Sequence, residues 1–245
     1  MIIAPRDGAL RLVTQTDHAH FAAELLSLWR ADGLAEHPRR SELLFAVREH
    51  DNGWAETDSA PWHDPATGRP HDFLSLPHGE RRRLWSRGVD RHAEGEPWAA
   101  LLILEHALEL HREDGDGGGP WSELLAQWAA RRQHLVEASG ASEDEIAADY
   151  RWLNLTDLLS LIVCNAWGES FERHGFKTRF AEGVLYLDPF PLAGATTFEI
   201  DSRTIPDRPY TSDTDLAVEL ARARFRPFEI RVVPGPAPAG DSRLG

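Results

Sequence analysis

The chain has 245 residues, and its 26 basic against 40 acidic side chains give a formal charge of −14. Apolar residues at 42% and charged residues at 27% are the balance of a folded globular protein and exclude a disordered chain. Such acidity repels a phosphate backbone, and the densest basic run, Arg81-Arg82-Arg83, reads as a solvated helix face, so nucleic acid is excluded as a main partner.

The first residues lack the layout of a secretory signal. Met1 to Ala4 and Ala9 to Thr14 predict a β-hairpin around the turn pair Asp7-Gly8. A helix follows, capped at Thr16 or Asp17, with Phe21, Leu25, Leu28 and Trp29 at helical spacing and Gly33 closing it. A second helix starts at Ser41 and ends at Asn52-Gly53. Residues 55–78 show no sustained period and read as an ordered irregular loop. Helices are predicted at 79–92, 97–112 and 120–138, with Pro97 and Pro120 in the first turns of the last two. The run between those two, residues 113–120, reads as a flexible connector; it lacks the closing Glu of a calcium loop. Ser142 with Glu145 caps a long helix over 143–167. Beyond Gly175, the stretches GVLYLDP, TTFEID and RPFEIRVVP predict strands, with a helix over Asp213–Arg224 between the last two.

The expected fold is mainly α: a helical domain over 1–175 with its hairpin, a small β-rich α/β appendage over 176–235, and a disordered tail over 236–245. The β appendage is placed to pair with the N-terminal hairpin. No apolar run reaches the ~18 residues of a membrane helix. The lone Cys164 can form no intrachain disulfide, and it sits in an apolar helical run where a buried, inert thiol is expected. These features give the expectation of a cytoplasmic protein that does not engage a membrane.

The chemistry rests on scattered His and Asp residues, since no nucleotide loop, serine elbow or HExxH motif occurs. His18 opens the first helix. His50 and Asp51 end the second, about 100° apart around its axis. His106 and Asp157 each interrupt an apolar helix. Taken singly, each has an ordinary reading: Asp157 belongs to a solvated stripe with Asn154 and Ser160, and His106 is a hydrogen-bonded core residue. Taken together, imidazole nitrogens and carboxylate oxygens from separate helices form a mixed set suited to Zn, Mn or Fe.

The order His18, then His50-Asp51, then Asp157 resembles the HD-domain superfamily of metal-dependent phosphohydrolases. The stretches TQTDHA, EHDNGW, GRPHDF and TDLLSLIVC look like an uncharacterised bacterial family, known only as a domain of unknown function, that is similar to a divergent HD relative. The resemblance spans most of residues 1–165. It implies an HD-like helical bundle with one or two divalent ions (Mn, Zn, Fe or Mg) at His18, His50, Asp51 and Asp157. It also implies a phosphoester or nucleotide-like small-molecule substrate, with His106 touching substrate or a second metal and His111 a weaker candidate for that place. His20 faces about 200° from His18 on a helix, so only one of them serves.

Glu49 is a candidate general base, with a solvent-facing role as its alternative. Trp54 walls the site or packs the core. Arg69 binds an anion or lies on the surface, and His71 lines a pocket. The expected function is hydrolysis by a metal-activated water; the alternatives are a di-iron oxygenase and a non-catalytic ligand-binding or regulatory module. A homo-oligomer is compatible with the sequence.

Overall fold

The computed structural model of the protein describes residues 1–112 and 119–235. The connector expected near 113–118 and the tail expected over 236–245 lie outside the described residues. Strands β1 (Ile2–Arg6) and β2 (Ala9–Val13) pair antiparallel from Ile2↔Val13 to Arg6↔Ala9. Asp7 and Gly8 between them take positive φ, 50° and 76°, the left-handed pair whose twist matches that of the flanking strands.

Helix α1 (Gln15–Ser27) is capped by Thr14, whose hydroxyl accepts from the Asp17 amide at 3.0 Å, two residues before the expected cap. Helix α2 (Arg40–Glu49) leads into a 3₁₀ turn over Asn52–Trp54 and a short α3 (Ala55–Ser59). Then come α4 (His78–His92), α5 (Pro97–Leu110), α6 (Pro120–Ser139) and α7 (Glu143–Asn165). The Ser142/Glu145 capping box forms as expected, each side chain bonding the other residue's backbone amide. Helix α5 is apolar almost all round and has Trp98 to Leu104 buried without interruption, so it runs through the middle of the core. None of these helices is long and apolar enough to cross a membrane.

The remainder is β3 (Ser170–Arg173), β4 (Phe176–Ala181), β5 (Val184–Asp188), β6 (Thr196–Ile200), β7 (Arg203–Pro206), α8 (Asp213–Arg222) and β8 (Phe228–Pro234). One sheet has the order β1-β2-β7; the other has β3-β4-β5-β8-β6, with β5 and β8 parallel. The hairpin thus joins the C-terminal region through β7, which pairs antiparallel with β2.

The expectation of a mainly helical bundle with a minor appendage is corrected here. About half of the residues are helical, but eight strands in two sheets make the class α/β. The sheet is not an accessory, because its Phe180, Leu185, Phe198 and Val232 share one continuous core with Phe21, Trp29 and Leu159 of the helical part and its loops. Trp29 stands edge-on to Phe176, and Phe21 to Phe198.

Helix α4 approaches the turn after α2 closely enough to touch its backbone. A Cβ on Gly53 would lie 2.1 Å from the Leu84 carbonyl oxygen, whereas one on Gly88 would meet its nearest neighbour at 3.4 Å. The glycine of the EHDNGW stretch is therefore a packing requirement between α4 and the 3₁₀ turn. Gly53→Ala is expected to destabilise the fold by roughly 1–3 kcal/mol or more, as overpacking does. Gly88→Ala, inside a helix, is expected to be neutral or stabilising by about 1 kcal/mol. Urea melts of both variants check the contrast.

Candidate metal centre

Three helices and one helix end bring the predicted residues together. His18 comes from α1, His50 and Asp51 from the end of α2, His106 from α5 and Asp157 from α7. All five are buried, His18 completely. Asp157 and Ser160 lie inside the protein, so they do not form a solvated stripe. Ligand atoms of His18, His50 and Asp157 all fall within 4.8 Å of one another. Asp51 completes the set, with its Oδ2 2.8 Å from His18 Nε2 and 3.6 Å from His50 Nε2.

The tautomers follow from the bonds around the rings. The Ser160 hydroxyl donates to the Asp157 carbonyl at 2.8 Å, so it accepts from His18 Nδ1, also at 2.8 Å. His50 Nδ1 donates to the Val47 carbonyl at 2.7 Å. Each neutral imidazole then presents a bare Nε2, and each Nε2 faces carboxylate oxygen: His18 that of Asp51, and His50 that of Asp157 at 3.3 Å. Two acceptors in such contact need a positive charge, either a proton or a metal ion. Holding one ring nitrogen with a carbonyl or hydroxyl while the other faces the ion is the usual arrangement of metal-binding histidines. The donor set, two or three imidazoles with two carboxylates, fits a divalent ion.

A family model matches residues 1–207, with the description "Protein of unknown function (DUF3891)". The chain belongs to this family. No curated protein and no solved structure matches it. The family match runs from the hairpin through β7 and so includes every element that supplies the cluster; α8 and β8 lie beyond it.

Without metal, protons supply the charge. Burial alone would push the His50 imidazole down, but Asp51 and Asp157 raise it to about 9. Burial likewise works against ionisation of Asp51 and Asp157, and the imidazoles outweigh it and hold both carboxyls below the usual range. His106 differs: burial pushes it down to about 4, so it is neutral at pH 7. Its Nε2 is 3.6 Å from Asp157 Oδ2, and its Nδ1 is 3.3 Å from the Tyr150 hydroxyl.

A cavity of about 210 Å³ opens on the cluster through Asp51, His106 and Asp157. Two further predicted residues line it. Trp54 forms part of its wall, and His111 stacks on Trp121 with ring centres 4.2 Å apart. The other predicted residues lie elsewhere. Glu49 pairs with His92 at 3.5 Å and with Arg48 at 3.7 Å. Arg69 is exposed and paired with Asp207 at 2.6 Å. His71 lines a separate, very small cavity beside Trp62. Cys164 is buried, and burial pushes its thiol up to about 12.

Sequence reasoning missed Gln15, Arg81, Phe73 and Trp85 on this cavity and Ser160 behind His18. The signal for Arg81 was its spacing. It lies four residues before Trp85 and therefore shares a helix face with it, whereas Arg83 is exposed. A larger groove, about 860 Å³, runs between α4 and α6. Its Arg87 and Arg91 pair with Glu56, and it touches none of the cluster.

The two histidines give the metal-stripped protein opposite pH slopes. The raised value of His50 means its stabilisation is complete below its unfolded value of 6.5 and is lost as pH climbs through about 9. The depressed value of His106 means stability is lost as pH falls from 6.5 through about 4. Melting temperatures of chelator-treated protein are expected to peak near pH 6.5. His50→Gln should flatten the alkaline limb and His106→Gln the acid limb; parallel curves for variant and parent would contradict this assignment.

Proposed function

We propose that the protein is a metal-dependent hydrolase that acts on a phosphoester. The observation that carries this reading is the pair of buried histidines. Both have Nδ1 committed to a protein acceptor, and both turn Nε2 towards a buried carboxylate. The order of these residues along the chain, which resembles that of the HD superfamily, supports it further.

In this reading His18, His50, Asp51 and Asp157 hold a divalent ion. Such an ion supplies a water acidic enough to deprotonate near neutral pH and a positive charge for the phosphoryl oxygens. The protein supplies the remaining parts. Ser160 and the Val47 carbonyl fix the two ring orientations. Asp51 and Asp157 are ionised and need no proton removed before the ion binds, whereas His50 must release its proton as the ion replaces it. His106 is neutral, so it orients a bound group by hydrogen bonding and does not donate a proton at pH 7. Trp54, Phe73 and Trp85 narrow the cavity and exclude bulk water from the reacting group.

The test pairs metal analysis with turnover. The purified protein should carry a stoichiometric transition metal, and the double variant His50→Ala, Asp51→Ala should carry almost none. Supplied with Mn²⁺, Co²⁺, Zn²⁺ or Mg²⁺, the parent should hydrolyse at least one member of a phosphoester panel, and the variant should lose at least about a thousandfold, the scale of losing a catalytic ion. Equal, near-zero metal in both proteins sinks the centre. Iron with visible absorbance after aerobic purification redirects the reading to oxygen chemistry. A ligand that raises the melting temperature without turnover redirects it to a binding module.

A further inference from the structure

Three residues lining the cavity beside the cluster carry a buried polar atom that the protein leaves unpaired. The carboxamide oxygen of Gln15, a residue only 2% exposed, has no partner. Nε of Arg81 and Nε1 of Trp54 have none either. Buried polar atoms are normally paired, and three residues that each carry an unpaired one line this cavity, Trp54 lining a second, very small one as well. They amount to two donors, one of them on a cation, and one acceptor.

Apart from the cluster residues and His111, the rest of the wall is apolar: Phe73, Leu74, Trp85, Leu110 and Leu161. Among the described residues only four large apolar side chains are exposed, and two of them stand on this cavity, Leu74 at 64% and Leu110 at 54%. Water-facing leucines at the rim of a polar-floored cavity suit a ligand with an apolar end. The volume sets the size. About 210 Å³ is the space of about seven liquid waters, and it is below the ~300 Å³ at which drug-sized sites begin.

We infer that this cavity takes a compact phosphomonoester with a small apolar body, an aryl or short alkyl phosphate. Its phosphoryl group is held by Arg81 together with the metal cluster, its ester side lies against Trp54, Phe73 and Trp85, and a hydroxyl or amine on it, where present, donates to Gln15. This inference rests on the phosphoester reading of the same site and narrows it. A nucleoside phosphate would have to extend out of the cavity's mouth, past Leu74 and Leu110.

The experiment measures binding to the metal-loaded protein by calorimetry, with phenylphosphonate, inorganic phosphate and adenosine monophosphate as probes, and separately measures turnover of phenyl phosphate. Phenylphosphonate should bind at least about tenfold more tightly than either other probe. Arg81→Gln should weaken it about tenfold or more, the scale of a lost charged hydrogen bond, with bound metal unchanged. Gln15→Leu provides a second variant: it should leave phenylphosphonate affinity within about twofold and weaken a hydroxyl-bearing phosphonate. Tighter binding of phosphate or of the nucleotide, or an unchanged affinity in a folded, metal-loaded Arg81→Gln protein, overturns the inference. Phenylphosphonate binding without phenyl phosphate turnover supports the ligand class and sinks hydrolysis. Nucleotide turnover without phenylphosphonate binding does the reverse.

Discussion

Two carboxylates sealed among three imidazoles cannot be left to themselves. Ionised and unpaired, Asp51 and Asp157 would each carry a desolvation cost of several kcal/mol. Protonated, they would sit beside imidazole nitrogens at 2.8 and 3.3 Å that are the stronger bases and take the proton. A positive charge between them resolves this: a proton on His50 without metal, or the divalent ion that the cluster could hold. The surrounding architecture serves that contact. Helices α1, α2, α5 and α7 each supply a residue, and the Ser160 hydroxyl and Val47 carbonyl keep the rings from rotating away.

The constraint extends outward to the turn after α2. Asp51 must leave the helix and still aim inward, so the chain enters a 3₁₀ turn at Asn52–Trp54 at once. Asn52 then bonds back to the Glu49 carbonyl at 2.7 Å and across to Gly88 on α4 at 3.1 Å. Gly53 leaves no side chain between this turn and the Leu84 carbonyl. Trp54 emerges on the cavity side. The EHDNGW stretch thus has one physical job per residue after Glu49: two members of the buried cluster, a tether, a gap and a wall.

Much of this was legible because the signals were local. Asp7-Gly8 announced a hairpin through its backbone preference, and Ser142 with Glu145 announced a helix start. His106 and Asp157 stood out as polar residues in otherwise apolar helices. What was not legible is non-local. Strand β7 carries only four residues, Arg203–Pro206, and becomes a strand by pairing with β2 nearly two hundred positions earlier. Strand β3 is largely exposed and lacks an apolar face to read, and β5 and β8 pair in parallel across an intervening helix. These pairings, invisible to periodicity, turned a helical reading into an α/β fold. Arg81 was hidden differently, inside a run of three arginines of which it alone turns into the cavity. Glu49 and Arg69 were chosen for chemical type, and chemical type says nothing about which way a surface residue points.

With a divalent ion bound, the charge of the cavity would oppose that of the whole protein, which would reconcile an acidic chain with the anionic ligand proposed for it. The net −14 is spread over the surface, where salt screens it beyond about 8–10 Å. Inside, the sum is short: Asp51 and Asp157 contribute −2, His106 is neutral, and a bound divalent ion would restore +2. Arg81 is then the uncompensated charge on the cavity wall. In a low-dielectric pocket that single guanidinium outweighs many distant surface carboxylates. An anion entering the cavity therefore meets a local field of the right sign. The acidic exterior meanwhile turns away long polyanions, which would have to lie across the surface to reach the site.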